Sequence, residues 1–431
     1  MSSTIIRQVR GRGVWDSRGR PTVEAQVELE SGAIGRAIAP AGASTGSGEA
    51  LDLRDEDGFD VRRAVANVNG MIARALAGAD AADQQAVDAR LLEADGTPDK
   101  RRLGGNATIA VSMAALHAAA AANGVPLWRY LSPDAVTLPL PEIQIFGGGA
   151  HAARRIDIQD LMVVCPSARS FAEALDRTAA VYRAAGRLMA ERGTLQGVAD
   201  EGGYWPAFAS NEEALDALVR AIEAAGLVPG ADASISLDIA ASQFGCSGMY
   251  RLARDNQSLD RDGFIEVLGR WIERYPIVSI EDPLAEDDPE GFRRFTAAFG
   301  SKVQVIGDDF LVTNAERVRH AAAAKECNAV LIKPNQAGTI TETRAALEAA
   351  RELGFDAIVS ARSGETEDVT IVHLAVGWQA GQLKVGSFSR SERMAKWNEG
   401  LRIEEAIGAA AALARPFGAW KYHQSSEKER E

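Results

Sequence analysis

The sequence predicts an α/β protein in which a small α+β domain precedes a larger barrel of parallel strands and helices. Near the N-terminus, apolar and polar residues alternate with a two-residue period, and an alanine-rich helical pattern follows. In the second part of the chain, short apolar runs that end in polar residues alternate with helical segments, which is typical of repeated βα units. The length of 431 residues accommodates both domains, because such a barrel takes about 250 residues.

The N-terminal domain is predicted over residues 1–135. Strands are predicted in the segments IIRQVRGRGVWDS and TVEAQVELES, which turn signals separate. The Gly- and Ser-rich stretch PAGASTGSGEA at residues 40–50 predicts a mobile loop, and helices are expected from about residue 61 to residue 124. The segment LSPDAVTLPLPEIQ at residues 131–144 contains three prolines and predicts an extended linker at the domain boundary.

The barrel domain is predicted over residues 136–420, with a charged tail at 421–431 that we expect to fray. Its strands are predicted in the runs ASISLDIA, PIVSIEDP, VQVIGDDF, NAVLIKPN and DAIVSARS. The polar residues that end these runs are Asp238, Glu281, Asp308, Lys333 and Arg362. After one longer first step they follow at intervals of about 25 to 30 residues, which is the length of one strand, one helix and two loops.

Composition limits the classes of partner. The formal net charge of −13 disfavours nucleic acids and anionic lipid surfaces, so neither is an expected partner. The three cysteines are too few and too widely spaced for a disulfide framework or a zinc motif, which favours a reducing cytoplasm. The N-terminus has no apolar run typical of a signal peptide, and no stretch approaches the roughly 20 apolar residues of a membrane span.

Three acids at strand ends form the main candidate site. The carboxyl ends of the strands of a βα barrel meet at one face, so Asp238, Glu281 and Asp308 are expected to lie close together. Carboxylates brought together repel one another unless a cation neutralises them, and hard oxygen ligands favour Mg²⁺. The alternative is that each acid only caps the helix that follows its strand.

Lys333 follows the next apolar run and is the candidate base. Its position after AVLI places its stem inside the barrel, and partial burial beside a metal cation is expected to lower the pKa of its amine. The alternative is a lysine that merely pairs with a carboxylate of the metal site.

Ten ordered blocks of sequence resemble the enolase family over nearly the whole chain. They are DSRGRPTVE, GASTG, LGGNATIAVSMA, DEGG, SLDIAAS, SIEDP, GDDFLVTN, LIKPNQAGTITET, RSGETED and RIEEAIG. The resemblance implies an N-terminal α+β domain packed on an eight-stranded barrel whose first strands depart from simple βα order. It also implies a homodimer or a higher homo-oligomer, and dehydration of a small anionic phospho- or phosphono-carboxylate.

The resemblance further implies which residues bind metal and which move protons. Asp238, Glu281 and Asp308 match the ligands of a tightly held Mg²⁺, and Ser44 in GASTG matches the loop residue that closes onto a second Mg²⁺. Lys333 matches the base that removes the proton next to the carboxylate. Removal of this proton is difficult because it adds a second negative charge, which two Mg²⁺ ions stabilise; enolase-type sites are a standard example of this chemistry.

The remaining roles concern the leaving hydroxyl and the substrate. Glu201 in DEGG matches the acid that helps the hydroxyl leave as water. Lys384 matches the lysine that contacts the substrate carboxylate. The other positions that the resemblance implies for the substrate are His151 on a closing loop, Asp160 on the acid side of the site, and Arg362 with Ser363 at the phosphate.

Several positions depart from the family pattern. Ala41 stands where the family has serine, Asp160 where it has glutamate, Tyr204 and Trp205 where it has small residues, Pro334 where it has a bulkier apolar residue, and Ala361 where it has histidine. We expect these changes to surround the substrate pocket and to reshape it near the distal anionic group.

Three functions fit these residues. A reshaped pocket favours a specialised enolase-type hydro-lyase that dehydrates a carboxyphosphono-glycerate to carboxyphosphonoenolpyruvate in antibiotic biosynthesis. The alternative is a glycolytic enolase that converts 2-phosphoglycerate to phosphoenolpyruvate. A further alternative is a non-catalytic enolase-like binding protein, against which the intact acids and lysine argue.

Overall fold

The N-terminal unit is an antiparallel sheet covered by helices. The computed structural model describes residues 3–43, 45–205 and 208–416, so the predictions for Ser44 and for the 421–431 tail lie outside the described residues. The unit contains strands β1 Ile6–Trp15, β2 Pro21–Leu29 and β3 Ile34–Ile38, and helices α1 Arg62–Asn67, α2 Ala73–Leu76, α3 Gln84–Asp95, α4 Gly105–Ala122 and α5 Leu127–Leu131. The two predicted strands and the helical region are confirmed, and β3 is an additional strand.

Helix α4 lies against β2 and β3 and forms the core of this unit. At Gly35 of β3 a Cβ atom would lie 2.0 Å from the carbonyl oxygen of Ala114 and 2.2 Å from the amide nitrogen of Ala118, so only glycine allows this approach. Among the described helices, α4 alone is long and apolar enough to cross a membrane, but 83% of it is buried inside the fold. Its apolar length is thus explained by its place in the core.

The second unit is built on a closed eight-stranded barrel. Its strands, with the short strands around them, are β4 Thr137–Leu138, β5 Leu140–Gly147, β6 Asp160–Val164, β7 Ser234–Asp238, β8 Gly245–Cys246, β9 Met249–Leu252, β10 Gln257–Asp260, β11 Ile277–Glu281, β12 Gln304–Gly307, β13 Ala329–Ile332, β14 Asp356–Ser360, β15 Gln382–Gly386 and β16 Ala412–Leu413. The barrel closes in the order β5–β6–β7–β11–β12–β13–β14–β15. Neighbouring strands are parallel except β6, which is antiparallel to both β5 and β7, as the resemblance implies. The α/β barrel prediction is confirmed.

Helices surround this barrel and connect its strands. They are α6 Phe171–Glu191, α7 Asn211–Ala224, α8 Arg261–Arg274, α9 Pro289–Phe299, α10 Ala315–Ala324, α11 Pro334–Ala337, α12 Ile340–Glu352, α13 Thr370–Gly377 and α14 Ser391–Ile407. The five apolar runs identified in the sequence are β7, β11, β12, β13 and β14, and the longer first step contains the small antiparallel sheet β8–β9–β10.

The predicted linker at residues 131–144 is correct only in its first part. From Leu140 onward the segment is barrel strand β5, in which every residue is buried. Pro141 misled the prediction, but it is the second residue of the strand and precedes the pairing with β6, which begins at Glu142. The exact domain limits, 1–135 and 136–420, stay a prediction.

Candidate active site

The predicted metal ligands and the predicted base lie at one end of the barrel. Asp238 and Glu281 are the last residues of β7 and β11 and are paired in register. Asp308 directly follows β12, and Lys333 directly follows β13. A cavity opens at this end, and its lining combines residues of both units: Gly42, Ala43, His151, Gln159, Glu201, Asp238, Lys333, Ser360, Ala361, Arg362, Ser363 and Lys384.

Lys384, on β15, joins the acids of three neighbouring strands. Its Nζ lies 2.9 Å from Oδ2 of Asp238 and 2.7 Å from Oε2 of Glu281, and it lies 3.6 Å from Oδ2 of Asp160. These carboxylates oppose the effect of burial and raise the pKa of the Lys384 amine well above its usual value. Lys384 is therefore a fixed positive charge in the cavity.

Lys333 forms a buried ion pair with Asp308. Burial favours the neutral amine, but the adjacent carboxylate of Asp308 outweighs it, so the pKa of Lys333 is raised. In this arrangement the charge nearest to the amine is the Asp308 carboxylate. The lowered pKa expected from the sequence, which assumed a metal cation beside the amine, stays a prediction. The geometry leaves the role of Lys333 as base a prediction.

Asp308 is held in place by groups that the sequence did not single out. Nε2 of Gln336 donates to its Oδ1 over 2.9 Å, and Asp282 accepts the backbone amides of Asp308 and Asp309, each over 2.8 Å. Single carboxylate oxygens of Asp282, Asp308 and Asp309 all lie within 4.8 Å of one another. The second acid in SIEDP was the available signal, because Asp282 accepts the backbone amides of both acids in GDDF.

The oxygen donors of the acids at the strand ends suit a divalent metal ion, although Asp238, Glu281 and Asp308 are not one of the described groups whose ligand atoms all lie within 4.8 Å of one another. Oε1 of Glu281 is buried and, among the described residues, has no hydrogen-bond partner. Burial, and then repulsion by Asp238, raise the pKa of Glu281 well above its usual value. A hard cation would satisfy this oxygen and offset the repulsion, so the donor set of Asp238, Glu281 and Asp308 suits Mg²⁺.

On the acid side of the site, His151 lies between two carboxylates. Its Nδ1 is 3.1 Å from Oδ1 of Asp160, and its Nε2 is 3.9 Å from Oε1 of Glu201. Burial lowers the pKa of His151, but Asp160 and Glu201 outweigh it and raise the value to about 9. Burial also raises the pKa of Asp160, yet the pair with His151 holds it at about 2. Burial raises the pKa of Glu201, which suits a proton donor.

The turn that carries Glu201 is fixed by two glycines. A Cβ atom on Gly202, whose φ is +93°, would lie 2.5 Å from the carbonyl oxygen of Ser389, and one on Gly203 would lie 2.4 Å from Oε1 of Gln144. Gln144 Oε1 also accepts the Gly203 amide over 2.7 Å. The Gly-Gly pair therefore marks a close approach of backbones, and Glu201 is a buried cavity residue and not an exposed turn glutamate.

The charged pair of His151 and Asp160 predicts a dependence of stability on pH. Because the folded pKa of His151, about 9, lies above the unfolded value of roughly 6.5, its contribution is complete below that lower value and is lost as pH rises towards 9. We expect the difference in free energy of unfolding between the native chain and His151→Gln, measured by urea unfolding with chelator, to shrink over this window. The exposed His320→Gln is the control, and a difference that is constant or grows with pH contradicts the prediction.

Arg362 and Ser363 follow β14 and are both buried at the cavity. The guanidinium of Arg362 is held by Glu49, with Nη1 3.0 Å from Oε2, and by Oδ1 of Asn335 at 2.9 Å. The backbone carbonyl oxygens of Arg362 and Ser363 accept hydrogen bonds from Arg393. Sequence reasoning missed Glu49, although an acid near the end of the Gly- and Ser-rich stretch 40–50 was a possible signal.

Of the positions that depart from the family pattern, Ala361 alone is among the residues that line this cavity. Asp160 contacts the lining residues His151 and Lys384. Tyr204 instead stacks on Tyr182, with ring centroids 4.3 Å apart. The expectation that these changes all surround the pocket is therefore wrong for Tyr204, whose ring packs against helix α6.

Comparison with known proteins gives matches along nearly the whole chain. Residues 6–131 match the family model of the enolase N-terminal domain, and residues 135–418 match that of the enolase C-terminal TIM barrel domain. The chain is 51% identical over 419 residues to a protein named Enolase 1 from Desulfitobacterium hafniense (strain Y51). That alignment covers 95% of this chain and 96% of the relative.

Proposed function

Since the chain belongs to the enolase family and is a hydro-lyase, we propose that it dehydrates 2-phosphoglycerate to phosphoenolpyruvate. The observation that carries this proposal is the cavity itself, which brings a lysine, a buried glutamate and a buried arginine-serine pair to one place. These are the groups needed to remove a proton, release a hydroxyl and hold a phosphate. The 51% identical relative named Enolase 1 supports the same substrate.

In the proposed reaction, Lys333 takes the proton from the carbon next to the carboxylate, and Glu201 donates a proton to the leaving hydroxyl. Lys333 follows β13, whereas Glu201 belongs to the connection between β6 and β7, about half a turn around the barrel. The two groups therefore belong to widely separated parts of the barrel wall, which suits removal of a proton and of a hydroxyl from opposite faces of the substrate. His151 lies beside Glu201 and lines the same side of the cavity.

The remaining side chains position the substrate. Arg362 and Ser363 bind the phosphate, and Lys384 contacts the carboxylate. Each of these residues is buried, which strengthens its electrostatic interaction with an anionic substrate.

Enzymes of this family use Mg²⁺, and we propose two ions per site. Asp238, Glu281 and Asp308 would hold the first, and Ser44 would contribute to the second. Bound there, Mg²⁺ would supply the positive charge that offsets the second negative charge on the substrate carboxylate.

We further propose that the chain works as a homodimer or higher homo-oligomer in the cytoplasm. This proposal rests on membership of the family alone.

The specialised carboxyphosphono-glycerate dehydratase remains the second candidate. One observation favours it: Ala361, which replaces a histidine of the family pattern, lines the cavity beside Arg362. The near full-length relative named Enolase 1 favours the glycolytic reaction more, so the sequence-based preference for the specialised substrate is given up here.

The test compares both substrates under the same conditions. With Mg²⁺, the chain should convert 2-phosphoglycerate with rising ultraviolet absorbance, and its kcat/KM should exceed that for the carboxyphosphono analogue by at least about tenfold, equivalent to about 1.4 kcal/mol. A preference for the analogue, moved towards 2-phosphoglycerate by Ala361→His, would establish the second candidate. No reaction with either substrate contradicts both.

A further inference from the structure

Glu49 is a buried carboxylate that the N-terminal unit contributes to the barrel site. It is 6% exposed, and it forms a two-pronged pair with Arg362, since Oε2 lies 3.0 Å from Nη1 and Oε1 lies 3.3 Å from Nη2. Two parallel contacts fix the plane of a guanidinium as well as its position. The orientation of Arg362 thus depends on a residue that is 313 positions away in the sequence.

The same carboxylate also fixes the short segment of chain just before Glu49. Oε1 of Glu49 accepts the backbone amide of Gly46 over 3.0 Å. Gly46 is seated on the barrel, where a Cβ atom would lie 2.6 Å from Val312 and 2.8 Å from backbone atoms of Asp309. Glu49 can therefore bind the backbone amide of Gly46 and the guanidinium of Arg362 at the same time only while the 45–50 segment lies against the barrel.

A third contact leads from Glu49 to the predicted metal site. Nε2 of Gln336 donates to Oε1 of Glu49 over 3.3 Å and to Oδ1 of Asp308 over 2.9 Å. Gln336 is itself held by the hydroxyl of Thr313, which donates to its Oε1 over 2.6 Å. Glu49 thus joins the loop, Arg362 and Asp308 in one buried network.

We propose that Glu49 is a positioning residue, which sets the guanidinium of Arg362 for the substrate's phosphate and couples this orientation to docking of the 45–50 segment against the barrel. This inference rests on the proposed function, in which Arg362 binds the phosphate. A buried carboxylate is stable there only while it is paired, so loss of either partner leaves the other charge uncompensated. Docking of the 45–50 segment and the orientation of Arg362 at the phosphate site are therefore coupled, so a change that disrupts one also disrupts the other.

A double-mutant cycle tests whether Glu49 acts through Arg362. Glu49→Gln keeps the size of the side chain but removes its charge. Arg362→Lys keeps the charge but removes the planar guanidinium that makes two contacts at once. With 2-phosphoglycerate and Mg²⁺, we expect Glu49→Gln to lower kcat/KM by about 10- to 100-fold, mainly through a higher KM. In the Arg362→Lys background the same change should cost less than about threefold, because the partner is already lost.

The control is Glu342→Gln, which removes another ion pair between the two units, that of Glu342 with Lys100 at 2.7 Å. It should change kcat/KM by less than about twofold, because a partly exposed ion pair contributes little to stability and neither Glu342 nor Lys100 lines the cavity. Equal costs of Glu49→Gln in both backgrounds, or no cost at all, overturn the proposal. If Glu49→Gln does not fold, Glu49→Asp, which is one methylene shorter and keeps the charge, enters the same cycle.

Hydrogen exchange of the 45–50 segment provides a readout that does not depend on turnover. Both Glu49→Gln and Arg362→Lys should speed exchange there by about fivefold or more, and Glu342→Gln should not. If the chain fails to act on 2-phosphoglycerate, the proposed function fails, whereas the exchange result still decides whether Glu49 couples Arg362 to the loop. Unchanged exchange in both variants overturns the coupling.

Discussion

Lys333→Ala is expected to lower kcat for 2-phosphoglycerate by about 10²- to 10⁴-fold, which is the usual contribution of a positioned general base. Lys333 is the lysine at the end of β13, buried at the cavity and paired with Asp308. The variant should also lose the exchange of the substrate's C2 hydrogen with deuterium from solvent, measured by mass spectrometry. Glu201→Gln, in contrast, should keep this exchange and lose only the release of water.

The matched control for this prediction is Lys100→Ala. Lys100 is also a buried lysine paired with a carboxylate, but it is absent from the lining of the cavity. Its replacement should change stability and leave kcat within about threefold, because a distant pair contributes little to transition-state binding. C2 exchange that persists in Lys333→Ala would assign the base to another group.

The parts of the fold that sequence predicts well are those with a local signal. The runs that became β7, β11, β12, β13 and β14 are short, apolar and followed by a polar residue, so both the strand and its functional end are visible. Strand β5 lacks this signal because Pro139 and Pro141 resemble a linker, although all its side chains are buried.

The part of the site that sequence does not reveal is set by contacts between distant segments. Glu49 meets Arg362 across the two units, and Lys384 meets Glu281 across the barrel, and neither pairing follows from spacing. The sign of the pKa shift of Lys333 also depends on a contact, since burial and Asp308 act in opposite directions. Residue type indicated the chemistry, whereas the fold determines which charges face one another.

Glu281→Gln is expected to separate stability from function at the predicted metal site. Because burial and repulsion by Asp238 raise the pKa of Glu281, its ionised form costs stability in the folded chain as pH rises above its unfolded value. Glutamine resembles the protonated form, so in chelator at pH 8 the variant should be at least as stable as the native chain in urea unfolding. With Mg²⁺, it should lose about 10²-fold or more of kcat, because a metal ion contributes several kcal/mol to stabilising the transition state.

The second readout of Glu281→Gln is the effect of Mg²⁺ on thermal unfolding. A ligand that binds only the folded state raises Tm by an amount that grows with the logarithm of [L]/Kd, so added Mg²⁺ should raise Tm of the native chain and raise that of Glu281→Gln much less. Glu142→Gln is the control, since Glu142 is also a buried barrel carboxylate whose pKa burial raises, but it accepts a hydrogen bond from the Ser236 hydroxyl and is not one of the predicted metal ligands. In chelator, the stability of Glu142→Gln should match that of Glu281→Gln. With added Mg²⁺, however, its Tm should rise as that of the native chain does. Equal Mg²⁺ responses in both variants would remove Glu281 from the metal site.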